Sequence, residues 1–407
     1  MKKTVLREYA KLIVRSGMNV QKGQEVIIAA GIEQPDFVRM VVEECYKAKA
    51  KEVIVRWEYD PLEKIHVRYQ SVKTLGEVKE WEKARQEHYC NVLPVTLYLT
   101  SEDPDGQRGM NMKKVAKARQ LRYPIVRPYV DRREGWQQWC IAAVPGVAWA
   151  KKVFPGVRAS VAVEKLWEAI LSASRVGEDS VKAWEEHNAN LKARCEYLNS
   201  LGIESLHYTA DNGTDLTVGM IPEAMFCGGA ETSRQKIVFN PNIPSEECFI
   251  SPMKGKAEGI VYSTMPLSYQ GQLIENFSLH FENGKAVEAK AEKGEELLKT
   301  MISMDEGAAY LGECALVPQK SPICESGILF YNTLFDENAS CHLAMGMGYA
   351  DTIRDHHNKT LEECRALGIN DSMIHVDFMM GCDTMKIDAT CRDGKVVTLF
   401  RDGNWAF

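Results

Sequence analysis

The sequence predicts an α/β N-terminal domain with a parallel sheet, followed by a mixed α+β, strand-rich C-terminal domain. Three observations carry this expectation. Apolar strand-like runs alternate with amphipathic helical stretches as far as residue 200. From Ile203 onward, short alternating runs separated by turn signals take their place. The length of 407 residues exceeds one typical core and favours two or three domains. The expected division is 1–200 and 201–407, with no internal repeat and no low-complexity segment.

In chain order, VLREYAKLIV at 5–14 has helical apolar spacing, and a polar turn at Asn19–Gln24 leads into the apolar strand Glu25–Ala30. Asp36 is expected to cap a helix presenting Phe37, Met40, Val41 and Cys45, and Glu52–Trp57 returns to strand. That β-α-β unit is what points to parallel pairing. A helical stretch at 72–88, a strand Asn91–Thr100, a basic helix at 112–121 and a strand Cys140–Val144 continue the alternation. Helices are expected at Val161–Ser174 and Val181–Ser200. In the second half, Asn283-Gly284 between LIENFSLHFE and KAVEAKAE is a strong hairpin signal, and Asp393-Gly394 joins MKIDATCR to KVVTLF in the same way. Helices are expected at 294–304 and 338–350.

Composition limits the function classes. A hydrophobic fraction of 45% and a charged fraction of 26% are ordinary for a globular protein. The net charge of −6 and pI near 5.9 give no basic field for nucleic acid or an anionic membrane. No apolar run reaches the roughly 20 residues of a membrane span, and Arg7, Glu8 and Lys11 interrupt any signal-peptide core near the start. The 12 cysteines form no C-x-x-C pair and sit mostly in apolar flanks, as reduced thiols in a cytoplasmic protein would.

The chemistry concentrates in Asp336–Tyr349, DENASCHLAMGMGY, and in His375–Asp377. On the expected helix, His342 and Tyr349 are seven apart and share a face, although Gly346 and Gly348 weaken a helix there. His375 and Asp377 are two apart on an apolar strand and project to one side, where an imidazole and a carboxylate need partners. Glu247 follows two prolines at the mouth of a strand and shares a face with Phe249, while Glu246 points the other way. Glu313 opens the strand ECALV. Taken singly, each has an ordinary reading: a satisfied core histidine, a chance H-x-D pair, a core tyrosine, solvated glutamates. His356-His357 lies in a polar loop and reads as a solvated pair. Taken together, Glu247, Glu313, His342, His375 and Asp377 form a carboxylate-rich set of O and N donors. That set suits a pair of divalent ions, Zn²⁺, Co²⁺ or Mn²⁺, better than one structural tetrahedral site. H-E-x-x-H, G-x-S-x-G, the P-loop and the dinucleotide fingerprint are all missing.

These residues sit in motifs that resemble those of the thermophilic-type aminopeptidases, peptidase family M29. The likeness runs through LIVRSGMNVQKGQEV, WEEHN at 184–188, GTDLTVG at 213–219 and NPNIPSEECF at 240–249. It continues through DEGAAYLGECALVP, TLFDENASCH, HVDFMMG and FRDGNWAF. The resemblance implies metal ligands at Glu247, Glu313, His342, His375 and Asp377, and a catalytic role for Tyr349. It also implies a C-terminal catalytic domain and a homodimer enclosing the active sites. MGCDTMKIDATC departs from the family's usual acidic, glycine-containing run and bears on pocket shape.

The expectation is therefore a metal-dependent aminopeptidase acting on peptides with a free N-terminus through a two-metal-activated water. Tyr349 would donate a hydrogen bond to the tetrahedral intermediate. Glu246 is the nearest non-ligand acid to carry the proton, although strand alternation argues against it. The alternatives are another dinuclear hydrolase, a dipeptidase or amidase, or a non-catalytic peptide-binding protein, which ought to have a broken ligand set.

Overall fold

The computed structural model describes residues 1–407. The chain forms two compact units, one of Met1–Glu186, Ala230–Pro244 and Gln270–Gln272, the other of His187–Gly229, Ser245–Tyr269 and Leu273–Phe407.

The first unit carries a five-stranded parallel sheet. Its strands lie in the order Glu52–Glu58, Glu25–Gly31, Val95–Thr100, Trp139–Ala143, Asn242–Ile243. The run EVIIAA is buried along its whole length, because a central parallel strand is covered on both faces. The helix Pro35–Lys47 buries the face read from the sequence, Phe37, Met40, Val41 and Cys45. Its cap position is Gln34 rather than Asp36, since Pro35 already occupies the first turn. The expected strand Asn91–Thr100 begins only at Val95. Asn91 and Val92 close the helix Glu80–Val92, Leu93 turns left-handed at φ 51°, and Pro94 blocks continuation. The basic helix expected at 112–121 runs from Met112 to Arg133, through Pro124 and Pro128.

The second unit holds two sheets. In the larger, nine-stranded sheet, Gln272–Glu282 and Lys285–Lys293 form the hairpin read from Asn283-Gly284, with both turn residues at positive φ. Lys386–Cys391 and Val396–Arg401 form the second hairpin. The smaller sheet orders Cys248–Ile250, Leu311–Leu316, His342–Gly346 and His375–Met379, all antiparallel. The two sheets share one apolar core, in which Leu206, Tyr208, Leu279 and Phe400 meet Cys314, Leu316, Leu343, Met345 and Phe378. Burying each large side chain there contributes about 1.5–3 kcal/mol. No helix is long and apolar enough to cross a membrane.

Candidate metal centre

The residues expected on a helix at 338–350 form a strand instead. Glu337–Ala339 is a single 3-10 turn, and His342–Gly346 is the third strand of the smaller sheet. Pairing on both sides and burial of its apolar residues override the helical spacing. His342 and Tyr349 therefore do not share a helix face. Tyr349 lies beyond the strand in extended backbone, and its amide donates to Ser251 Oγ at 2.8 Å.

Strand alternation then sorts the side chains. Leu343, Met345, Val376, Phe378, Cys314 and Leu316 point into or pack on the core, so their neighbours in sequence point out of the other face. On that face Ala344 stands opposite Glu313 on one side and Asp377 on the other, with Gly346 opposite His375 and Ala315 opposite His342. Small residues thus separate the polar ones and leave room between their heads. Glu313 reaches this face through a bulge: Leu311 pairs with Met345 while Glu313 pairs with Ala344, so Gly312 is the extra residue. Only glycine fits at 312, because a Cβ would lie 2.2 Å from the Met347 carbonyl oxygen.

All five expected ligands come together. Donor atoms of Glu247, Glu313 and His342 lie within 4.8 Å of one another, and so do those of Glu313, His375 and Asp377. Glu313 belongs to both groups. His342 Nε2 is 3.2 Å from Glu247 Oε2, and His375 Nε2 is 3.2 Å from both Glu313 Oε2 and Asp377 Oδ1. Each imidazole places its Nδ1 against a backbone carbonyl, His342 against Ser340 at 3.2 Å and His375 against Met347 at 2.7 Å. A carbonyl only accepts, so each Nδ1 carries a proton; in the metal-free protein each Nε2 donates to the carboxylates beside it, and loss of that proton would free the Nε2 lone pair for a metal ion. That is how metal-ligating histidines are held. The Tyr349 hydroxyl is 3.0 Å from His375 Nε2, and its ring meets Phe249 edge-on at 5.8 Å.

The charges are crowded. Burial, then the nearby Glu247 and Asp377 charges, raise the Glu313 carboxyl to about 7 against the help of His375. Burial alone would depress His342, yet Glu247, Glu313 and Asp377 outweigh it and raise the imidazole to about 10. Asp377 is lowered: burial opposes ionisation, but His375 and His342 more than offset it. Tyr349 is pushed well above the usual phenol range by burial and by Glu313 and Asp377.

One acid that the sequence reading passed over joins this group. Glu337 sits on the 3-10 turn before His342, and burial followed by the charges of Asp377 and Glu247 raises it well above the carboxylate range. Its only signal was its place in DENA, beside an Asp336 that serves structure by accepting the Phe330 and Asn332 amides at 2.8 and 3.0 Å. Glu246 lies outside both groups. Its carboxylate is 3.9 Å from His187 Nε2, and its amide donates to Asn338 Oδ1 at 2.6 Å. His356 and His357 are also outside, with ring centroids 3.9 Å apart.

The model of the thermophilic metalloprotease (M29) family matches residues 2–405. The chain is similar to aminopeptidase AmpS of Bacillus subtilis, 42% identical over 406 residues, covering 99% of this chain and 98% of that one. It is similar to aminopeptidase PepS of Streptococcus thermophilus, 40% identical over 403 residues, covering 98% and 97%. Among solved structures it is similar to wild-type AmpT from Thermus thermophilus, with a TM-score of 0.90, 36% identity and 100% coverage of both chains.

Proposed function

Because this chain belongs to the thermophilic metalloprotease family M29 and is a metalloaminopeptidase, we propose that it releases N-terminal residues from peptides with two divalent ions. Glu247, Glu313 and His342 would hold one ion and Glu313, His375 and Asp377 the other, with Glu313 common to both groups. The observation that carries this reading is the sharing of Glu313 between the two donor groups. The donor chemistry fits. Mixed imidazole and carboxylate ligands suit Zn²⁺, Co²⁺ or Mn²⁺, and two divalent ions would balance the four carboxylates Glu247, Glu313, Glu337 and Asp377.

When bound, the ions supply Lewis acidity that polarises the scissile carbonyl and acidifies a water. The protein's own groups do the rest. Burial keeps the Tyr349 phenol protonated, so its O–H is a donor for the carbonyl oxygen as negative charge develops there. Glu337 holds its proton more tightly than an ordinary carboxylate, which suits it to take a proton from water and pass it to the leaving amine. We propose it for that role in preference to Glu246, which faces His187. A homodimer and a cytoplasmic setting extend the same proposal, and sedimentation of the purified chain checks the first.

The test is chelation followed by refilling. Aminoacyl-p-nitroanilide turnover is expected to vanish on stripping and to return with Co²⁺, Zn²⁺ or Mn²⁺, while N-acetylated substrates stay intact. Turnover indifferent to chelation would remove the metals from the reading. Equal cleavage of N-acetylated substrates would replace the aminopeptidase with an amidase.

A further inference from the structure

The first unit holds a cavity away from the metal centre. Its walls come from the helices Asp60–Tyr69, Val72–Gly76, Glu80–Val92 and Met112–Arg133, and its volume is about 440 Å³, within the range of small-molecule pockets. Val115, Ala118, Arg119, Arg122, Tyr123 and Val126 line it from the long helix. Those positions recur at intervals of three and four, so one stripe of that helix supplies both apolar and charged wall. Val67, Val78 and Ala118 are buried there, with Val115 beside them.

The charges on the wall run against those of the chain. Three arginines, Arg85, Arg119 and Arg122, meet two glutamates, Glu63 and Glu82, in a protein whose net charge is −6. Arg122 and Glu82 satisfy each other. Arg122 Nη2 donates to Glu82 Oε1 at 2.7 Å and Nη1 to the Glu77 carbonyl at 2.6 Å, while Glu82 also accepts the Lys79 amide at 2.9 Å. Glu63 is raised above the usual carboxylate range, first by burial and then by the Asp60 charge, and Arg119 is the cation that opposes this. Arg85 is left over. Its guanidinium lies over the Trp81 ring, 5.0 Å from the centroid, and its Nε is buried and meets no hydrogen-bond partner. The acceptors on its own helix are engaged elsewhere: Glu82 with Arg122, and Gln86 with Arg133 Nη2 at 3.0 Å. A buried donor on a charged group is costly to leave unpaired.

One unpaired guanidinium beside an apolar wall selects the ligand class. A bare inorganic anion would leave the apolar wall uncovered, and a neutral apolar molecule would leave Arg85 unpaired. A molecule with one carboxylate and a compact apolar body meets both demands, and the planar guanidinium matches a carboxylate in geometry. Its single negative charge also balances the one positive charge in excess on the wall. We propose that this cavity binds an amphiphilic monocarboxylate, with the carboxylate on the Arg85 guanidinium and the apolar body against Val67, Val78 and Ala118. A free alkyl carboxylate and the C-terminus of a peptide ending in an apolar residue share that chemistry.

The experiment is calorimetric titration of the metal-loaded full chain with octanoate and, separately, with N-acetyl-leucine. Acetate and octanol serve as controls for the carboxylate and the apolar body alone. Saturable one-to-one binding of at least one of the first two is expected, weaker at higher salt; the tighter of the pair names the source, free alkyl carboxylate or peptide end. Arg85→Met keeps the stem but not the charge and should lose affinity at least tenfold, while Arg85→Lys should retain more of it. Val115→Phe narrows the cavity and should lose several-fold. Glu63→Gln removes a repelling charge and should bind more tightly, an opposite sign that general damage to the fold would not produce. Aminoacyl-p-nitroanilide turnover should be unchanged in all four variants. Absence of saturable heat with both ligands, or binding indifferent to Arg85→Met, would overturn the proposal. So would acetate or octanol binding as tightly as octanoate.

Discussion

Replacing Glu313 with glutamine has two effects of opposite sign, and together they test the bridging geometry. In the metal-free protein Glu313 is only 4% exposed, and its carboxyl is raised from 4.5 to about 7. An acid whose folded value is raised costs nothing below pH 4.5, where both states are protonated. Stability is then lost as pH rises from 4.5 through 7, and the full penalty applies above that. At about 1.4 kcal/mol per tenfold, the difference between 4.5 and about 7 is at most about 3.5 kcal/mol. Glutamine does not titrate, so metal-free Glu313→Gln should be more stable than metal-free wild type at pH 8. The gain should fall below that limit, because His375 loses one of its two carboxylate neighbours. Thermal melts would show it as roughly 2–4 °C per kcal/mol. Adding metal should reverse the order. Wild type gains about 2.7 kcal/mol per ion at a hundredfold excess over Kd, whereas the variant loses the one residue common to both sites. Calorimetry with metal-content analysis, at pH 5 and at pH 8, reads both effects. A metal-free variant that melts below wild type at pH 8, or one that binds two ions with wild-type turnover, would refute the bridge.

Tyr349→Phe removes a donor from the reacting carbonyl and the 3.0 Å contact to His375 Nε2 but no expected ligand itself, so kcat should fall about 10²–10³-fold with two bound ions retained. A loss confined to KM would refute the role. Leu343→Ala empties part of the core face behind the ligands, where Leu343 is 0% exposed. It should cost about 2–5 kcal/mol in denaturant unfolding while the folded fraction keeps its metal stoichiometry.

The five side chains proposed as ligands were legible in the sequence because they are embedded in long motifs, but the local geometry that gathers them was not. Seven-residue spacing between His342 and Tyr349 fits two helical turns, and a five-residue strand ending in glycine gives little opposing signal. What decided the outcome is a tertiary pairing: His342–Gly346 lies between two strands with its apolar residues buried. A period-two pattern was nevertheless present in three places. In HLAMG the residues His, Ala and Gly alternate with Leu and Met; in ECAL, Glu and Ala alternate with Cys and Leu; in HVDFM, His and Asp alternate with Val and Phe. Apart from Met379, which stands opposite His342, each strand sends its large apolar residues to the core and its polar or small ones to the opposite face. The bulge at Gly312 could not be read this way, since Leu311 and Glu313 are two apart and simple alternation would put them on one face. Glu337 was hidden for another reason: it lies on a turn, outside any strand register, and only the fold brings its charge to bear on Asp377 and Glu247. The small residues are therefore as much a part of the site as the ligands. A bulky side chain at Ala344 would stand between Glu313 and Asp377 and fill the space in which their carboxylates meet His375.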